Sequence, residues 1–331
     1  MNPPRIAELL LEWYREGHRD LPWRRQRDPY RIWLSEVMLQ QTRAQTVIPY
    51  YERFLERFPT VEALAAAAEP DVLAAWSGLG YYDRARSLRR AAQKIIAAGG
   101  FPNEYEAIRA LPGVGDYTAA AIASIAFGLP HAVMDGNVLR VMARVQNDPA
   151  DIGLARTRER FREAVGKWLD PRSPGVFNQA IMELGATVCL PRNPLCLLCP
   201  LSTACRAFAE GTVKQLPVKL RRTEPVEIES LLLVVRQGER VLLRQREADA
   251  RRMAGFWELP APEQLPRARV GRRLGRFRHT ITHHHYTFAV AEASAPTARP
   301  PFRWFAPGDL GNIPLSTTAR KALQIAGVLK C

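Results

Sequence analysis

Apolar residues recur at three- and four-residue spacing through the first two thirds of the chain. Ile6, Leu9, Leu10, Trp13 and Tyr14 fall on one helical face, as do Ile32, Trp33, Val37 and Leu39, and the Ala-rich stretch 61–75 adds helix propensity. No convincing strand stands out before residue 228. The long uncharged stretch 117–134 contains Gly128, Pro130 and His131, so it predicts a buried helix over 117–127 with its exit loop, not a membrane span. After residue 228 the period changes. Residues 228–235 and 240–245 are short β-branched or leucine runs around Gln237-Gly238-Glu239, which predicts a hairpin. Between the two patterns, 212–227 carries Pro217, Pro225 and the run Lys219, Leu220, Arg221, Arg222, the composition of a linker. The pattern thus predicts an all-α domain over 1–211 and an α+β domain over 228–331, and 331 residues suffice for both.

Charge adds a partner. The 47 Lys+Arg against 33 Asp+Glu leave a net +14, with pI near 10.1, which points to a polyanion, nucleic acid first. The excess is uneven: 1–211 hold 26 basic and 23 acidic residues, 212–331 hold 21 and 10. An apolar content of 47% with 24% charged residues excludes disordered and collagen-like chains. Arg5, Glu8 and Glu12 interrupt any secretory apolar segment, so a cytoplasmic location is expected, on the nucleoid in a bacterium.

Cys189, Cys196, Cys199 and Cys205 give C-x6-C-x2-C-x5-C, while Cys331 stands alone at the tail as a plain surface thiol. Four thiols this close make a metal or cluster site or two disulfides. A reducing cytoplasm disfavours disulfides, leaving zinc or iron-sulfur. The first gap is longer than zinc knuckles use, and x2 gaps suit a cubane cluster. Leu111-Pro112-Gly113-Val114-Gly115 lies between two helical stretches; it is an ordinary turn or, with the helix N-terminus that follows, a phosphate cradle. Asp135 stands where an N-cap would precede the helix of 139–145. Glu36, between Trp33, Val37 and Leu39, is either an exposed helix acid or a carboxyl whose burial raises its pKa enough to donate a proton.

The cysteine spacing resembles the four-iron four-sulfur motif of the endonuclease III superfamily of DNA glycosylases. Leu111–Gly115 followed by Asp116-Tyr117-Thr118-Ala119-Ala120 resembles that superfamily's helix-hairpin-helix, placed near 104–127, and Val133-Met134-Asp135-Gly136-Asn137-Val138 resembles the loop of its catalytic aspartate. Ser35-Glu36-Val37-Met38-Leu39-Gln40-Gln41-Thr42-Arg43, Arg19-Asp20-Leu21-Pro22-Trp23-Arg24 and Gly78-Leu79-Gly80-Tyr81-Tyr82 narrow the likeness, over nearly all of 1–220, to adenine DNA glycosylases of the MutY type. The resemblance implies a 4Fe-4S cluster in the loop 189–205 and excision of adenine from double-stranded DNA opposite 8-oxoguanine or guanine by a monomer. Breaking a purine N-glycosidic bond needs an acid for the base and an anion for the oxocarbenium-like sugar. By resemblance Glu36 is the acid toward N7, Asp135 the anion at C1′, and Tyr117 and Asn137 orient them. Bifunctional members carry a lysine where this chain has Tyr117; a phenol cannot form an imine, so the resemblance implies a monofunctional enzyme. Trp23, Arg24 and Glu183 hold the flipped adenine, although Trp23 is equally a core residue and Glu183 equally a helix-surface acid. Gln41 and Tyr81 fill the gap in the stack, and Gly113 and Gly115 approach a phosphate.

Gly255-Phe256-Trp257-Glu258-Leu259-Pro260 resembles the Nudix-like domain that ends these proteins. The acidic R-E-x-x-E-E helix of a working Nudix hydrolase is missing, so nucleotide hydrolysis is not expected. Arg267, Arg269, Arg272, Arg273, Arg276 and Arg278 form a solvated loop or a phosphate-contacting one. Residues 278–286 resemble the family's lesion-reading loop, with Ile281-Thr282-His283 where Phe-Ser-His is usual, which implicates Thr282 and His283. On a strand His283 and His285 share a face and His284 takes the other. Two other readings stay open: a same-fold glycosylase for another base, such as thymine in T·G, or with lyase activity, and a non-catalytic iron-sulfur DNA-binding scaffold.

Overall fold

The computed structural model describes residues 3–220, 224–247, 249–250, 253–281, 283–295 and 299–330. Arg221, Arg222, Thr282 and Cys331 lie outside the described residues. The chain packs as two units, one made of residues 1–51 and 90–222, the other of 52–89 and 223–331.

The first unit is helical: α1 (Pro3–Glu16), α2 (Pro29–Leu39), the start of α3 (Ala44–Arg57), and, after α4 (Val61–Ala66) and α5 (Glu69–Trp76), the end of α6 (Asp83–Ala97). It continues with α7 (Tyr105–Arg109), α8 (Asp116–Phe127), α9 (Gly136–Gln146), α10 (Ala155–Trp168), α11 (Pro174–Thr187) and the short α12 (Arg206–Ala209). Punctuation follows residue chemistry. Asp28 caps α2 by accepting from the Arg31 N–H and Pro29 opens its first turn; α8 ends on Gly128 in the left-handed region. Ile6, Leu10, Val138, Met142, Phe161, Phe177 and Ile181 meet in one core of α1 and α8–α11. Burying each such side chain contributes about 1.5–3 kcal/mol, so Phe161→Ala would cost about 3–5 kcal/mol. Two glycines set how closely α11 approaches its neighbours: a Cβ on Gly175 would lie 2.6 Å from the Ser124 carbonyl oxygen of α8, and one on Gly185 2.6 Å from Cβ of Asn137 on α9.

The second unit holds a six-stranded mixed sheet of order β3-β2-β1-β5-β4, with β6 on β2: β1 (Val226–Gln237), β2 (Arg240–Gln245), β3 (Trp257–Glu258), β4 (Arg269–Ile281), β5 (His284–Ser294) and β6 (Phe302–Phe305), followed by α13 (Thr317–Ile325). The expected hairpin forms, with Gly238 supplying a positive φ of 59° in a two-residue turn. Leu232, Val234, Val241, Leu243, Phe288 and Val290 pack beneath Ala319, Ala322 and Leu323 of α13. Within the same unit, the Ser77 hydroxyl donates to the Leu315 carbonyl at 2.7 Å and Tyr82 lies 4.0 Å, ring to ring, from Phe256. Two expectations are corrected here. The arginine stretch is mostly strand, not loop: β4 is an edge strand with Arg269, Arg272, Arg273, Arg276 and Arg278 exposed. His283 sits in the turn before β5 rather than on a strand face, because Ile281 pairs with His284. Among the described residues no helix is long and apolar enough to cross a membrane.

Candidate active site

Four elements of the first unit bring the expected residues to one cavity of about 1090 Å³, lined by Trp23, Arg24, Glu36, Gln41, Tyr117, Asp135 and Asn137. The apolar run of α2 forces Glu36 inside, where it is 5% exposed. The Tyr117 hydroxyl, from the first turn of α8, donates to Oε2 of Glu36 at 2.7 Å and lies 3.2 Å from the sulfur of Met182. Burial pushes the Glu36 carboxyl up to about 7; the Tyr117 hydrogen bond and Arg24 oppose this and Asp135 adds to it. Burial likewise raises the Tyr117 phenol well above its usual range, so it stays neutral.

Asp135 caps α9, its Oδ1 accepting from the Val138 N–H at 2.7 Å, as the capping reading anticipates. Its other oxygen accepts from Nδ2 of Asn137 at 2.8 Å. Burial raises its pKa, and these hydrogen bonds and Arg140 restrain the rise. The Arg140 guanidinium donates to Oδ1 of Asn137 at 2.8 Å, to the Gly185 carbonyl at 2.7 Å and to the Cys189 carbonyl at 2.7 Å. Asn137 is therefore fixed from both ends of its amide.

Glu183 is a buried ion-pair partner, not a helix-surface acid. Arg19 donates to it from its backbone N–H (3.1 Å), Nε (2.8 Å) and Nη2 (2.7 Å), and Arg24 from Nη2 (2.8 Å). Burial alone would raise its pKa, but the arginine hydrogen bonds overcome that and bring it to about 2. Trp23 is buried edge-on to Tyr51, ring centroids 5.4 Å apart, and still lines the cavity. Gln41, just past α2, holds a left-handed φ of 58° at the cavity rim. Tyr81, in the second unit, also has a left-handed φ, 50°, and is 44% exposed; it does not line this cavity. Of the two hairpin glycines only Gly113 (φ 77°) needs to be glycine for its backbone; Gly115 is extended and caps α8, with open space where a Cβ would be. Arg19, Arg140 and Met182 are partners that the sequence reading did not single out. Arg19 stands in the Arg19–Arg24 string, whereas Arg140 and Met182 carry no local signal.

Cys189, Cys196, Cys199 and Cys205 line one further cavity with Arg144, all unpaired as disulfides. Arg144, 2% exposed, lies 3.4 Å from the Cys189 sulfur and donates to the carbonyls of Leu190 (2.7 Å), Leu216 (3.0 Å) and Val213 (3.1 Å), so it ties the loop to the chain beyond it. Burial pushes the Cys199 thiol up to about 12 and raises Cys196 and Cys205 as well. Such thiols ionise only when a cationic group compensates them. Among the described residues, no three His, Cys, Asp or Glu side chains form a site for a single metal ion. In the second unit His285 Nδ1 lies 2.8 Å from Oε1 of Glu227, an acid that sequence proximity does not reveal.

Residues 34–170 match the family of HhH-GPD superfamily base excision DNA repair proteins, and 231–324 match the NUDIX domain. The adenine DNA glycosylases of Mus musculus and Homo sapiens are each 36% identical to the chain over 96% of its length, covering 76% and 73% of theirs. A thermostable thymine-DNA glycosylase structure is similar at 29% identity and TM-score 0.55, over 62% of this chain and 95% of that one. An endonuclease III–DNA complex shares the fold at 22% identity and TM-score 0.53, over 62% and 94%.

Proposed function

The chain belongs to the adenine DNA glycosylases of the helix-hairpin-helix base excision repair superfamily, and from that premise we propose which residues release the base and what stands opposite it. Glu36, neutral in part near pH 7, delivers its proton to N7 of a flipped adenine while the bond from N9 to C1′ breaks. Asp135 faces the positive charge that grows at C1′. Water then adds there and its proton returns to Glu36, which leaves an abasic site, free adenine and the enzyme unchanged. Tyr117 holds Glu36 in place, and Asn137 holds Asp135. Trp23 and the guanidinium of Arg24 hold the base, and Glu183, buried outside the cavity lining, acts on it by fixing Arg24. Gln41 takes up the space the adenine vacates, Tyr81 contacts the DNA from its own unit, and Gly113 and Gly115 with the start of α8 grip the backbone. Support comes chiefly from one observation: a buried carboxyl and a half-buried one open onto one cavity, both raised in pKa, the first hydrogen-bonded to a neutral phenol and the second held at a helix N-terminus.

The four cysteines would hold a 4Fe-4S cluster, which would supply a rigid cross-link rather than chemistry at the base. The four thiols line one cavity, and Arg144, 3.4 Å from the Cys189 sulfur, would offset the negative charge of four thiolates. Catalysis is assigned to residues 1–211 and reading of the opposite base to 228–331, through Thr282 and His283, with 8-oxoguanine as the preferred partner of adenine. The sequence of 278–286 and the NUDIX match support that assignment. Duplexes carrying A·8-oxoguanine, A·G or T·G, incubated with the protein and resolved with and without alkali, test the whole reading. Adenine loss with strand breaks only after alkali is expected. Preference for T·G would overturn the substrate, and breaks without alkali would overturn the monofunctional mechanism.

A further inference from the structure

The Tyr117 hydroxyl has two neighbours and one proton. Oε2 of Glu36 lies at 2.7 Å and the Met182 sulfur at 3.2 Å. A thioether accepts and never donates, while a carboxyl does either according to its charge. When Glu36 is ionised, the phenol proton belongs on the carboxylate. When Glu36 is protonated on Oε1, Oε2 still accepts from the phenol; when its proton is directed at the phenol oxygen instead, the phenol proton needs another acceptor. The sulfur is placed to be that acceptor.

We propose that Met182 is a positioning residue for the general acid, its sulfur accepting the Tyr117 hydrogen bond in the arrangement in which protonated Glu36 donates to the phenol oxygen. The proposal rests on the acid role assigned to Glu36 above. Only protons change place, and no oxidant or co-reactant is needed. Without the sulfur, protonated Glu36 can donate to the phenol oxygen only by leaving the half-buried phenol O–H unpartnered, so one arrangement of the neutral form is lost while the ionised form loses nothing. The acid should then lose its proton at lower pH. The other ionisable groups that bear on Glu36 are Asp135 at the start of α9, which favours the neutral form, and Arg24, which favours the charged one. Met182→Leu changes neither and nearly conserves volume.

Single-turnover adenine release by the full-length protein, followed from pH 5 to 9, tests this. In Met182→Leu the basic limb should move down by about half a pH unit, read as about threefold slower release above the limb with little change below it. In a Tyr117→Phe background, adding Met182→Leu should move nothing. A second measurement does not depend on activity: a 13C titration of the Glu36 side-chain carboxyl in the DNA-free protein, assigned by its disappearance in Glu36→Gln, should show the same downward shift. An unmoved midpoint in Met182→Leu overturns the role of Met182, as does a shift that persists in full without the Tyr117 hydroxyl. Base release retained in Glu36→Gln would instead overturn the acid assignment, and the link between Met182 and catalysis with it.

Discussion

Gly185 packs against Asn137, the residue that holds Asp135, and replacing it with alanine measures how tightly. A Cβ there would lie 2.6 Å from Cβ, 3.2 Å from Cα and 3.3 Å from the carbonyl carbon of Asn137, where ordinary contact starts at 3.4 Å. Relief of about 0.8 Å is therefore required. It must come from the first turn of α9 itself, because two of the three neighbours are main-chain atoms. Asn137 cannot swing aside freely: its amide is held by Asp135 at 2.8 Å on one end and by Arg140 at 2.8 Å on the other. Overpacking of this kind costs about 1–3 kcal/mol of stability. A misplacement approaching 1 Å at a reacting group costs up to about 100-fold in rate. Gly185→Ala should thus slow single-turnover adenine release by roughly 10- to 100-fold while duplex binding persists. Gly175→Ala is the matched control: its Cβ would lie 2.6 Å from the Ser124 carbonyl oxygen and 2.8 Å from Cα of Ile125, an equal clash that does not touch Asn137. Denaturant unfolding should report similar destabilisation in the two variants, with the large rate loss confined to Gly185→Ala. Equal rate losses, or none at Gly185, would refute the idea that Asn137 sets the position of Asp135.

Glu36→Gln should abolish base release and leave duplex binding intact; more than about a hundredth of the parent rate would remove Glu36 from the acid role. Glu36 binds its proton more tightly when folded, so the stability it contributes is full below the unfolded carboxyl range and is lost as pH rises through about 7. The same variant should accordingly be more stable than the parent at pH 8, by up to roughly 3 kcal/mol in denaturant melts, and the parent's rate should fall above pH 7. The purified protein should be brown with about four iron atoms per chain; one zinc and no visible absorbance would sink the cluster. Thr282→Val should narrow the A·8-oxoguanine to A·G rate ratio several-fold, the worth of one hydrogen bond, with the salt dependence of binding unchanged. Arg273→Ala with Arg276→Ala should do the reverse, because exposed arginines on the edge strand contact phosphates without reading bases; an altered ratio with an unaltered salt slope would reverse those roles.

What the sequence made legible was local. A buried helix around Glu36, a cap at Asp135, the hairpin at Gln237–Arg240 and the cysteine spacing all depend on residues within a few positions of one another. Partners across helices were hidden for the same reason: Arg19 reaches Glu183 over 164 residues, Tyr117 reaches Met182 over 65 and Arg140 reaches the Cys189 carbonyl over 49. No periodicity encodes such distances. The arginine stretch concealed a strand because Gly271 and Gly275 interrupt its alternation and the pairing with β5 slips between Val270 and Arg273 and again before Gly275. The strand expectation for His283 fails because the chain turns there, between Ile281 and His284, which pair with each other.

The loop at Gly78–Tyr82 carries this point into function. Tyr81 holds φ 50°, a conformation that persists in a tyrosine only where the surroundings enforce it. The enforcement comes from both sides of the chain. Arg84 donates to the carbonyls of Leu79 and Gly80 at 3.3 and 3.1 Å, its guanidinium also lying 5.6 Å from the Tyr81 ring. Residues after 223 supply the rest, since Ser77 donates to the Leu315 carbonyl and Tyr82 packs on Phe256. Losing those residues would expose the ring of Tyr82 and strip the buried Ser77 hydroxyl of its acceptor. The segment from 228 onward is therefore structural support for an element of the helical sequence as well as the proposed reader of the opposite base. Its removal should weaken excision from A·G duplexes too, and only point changes such as Thr282→Val separate reading from support.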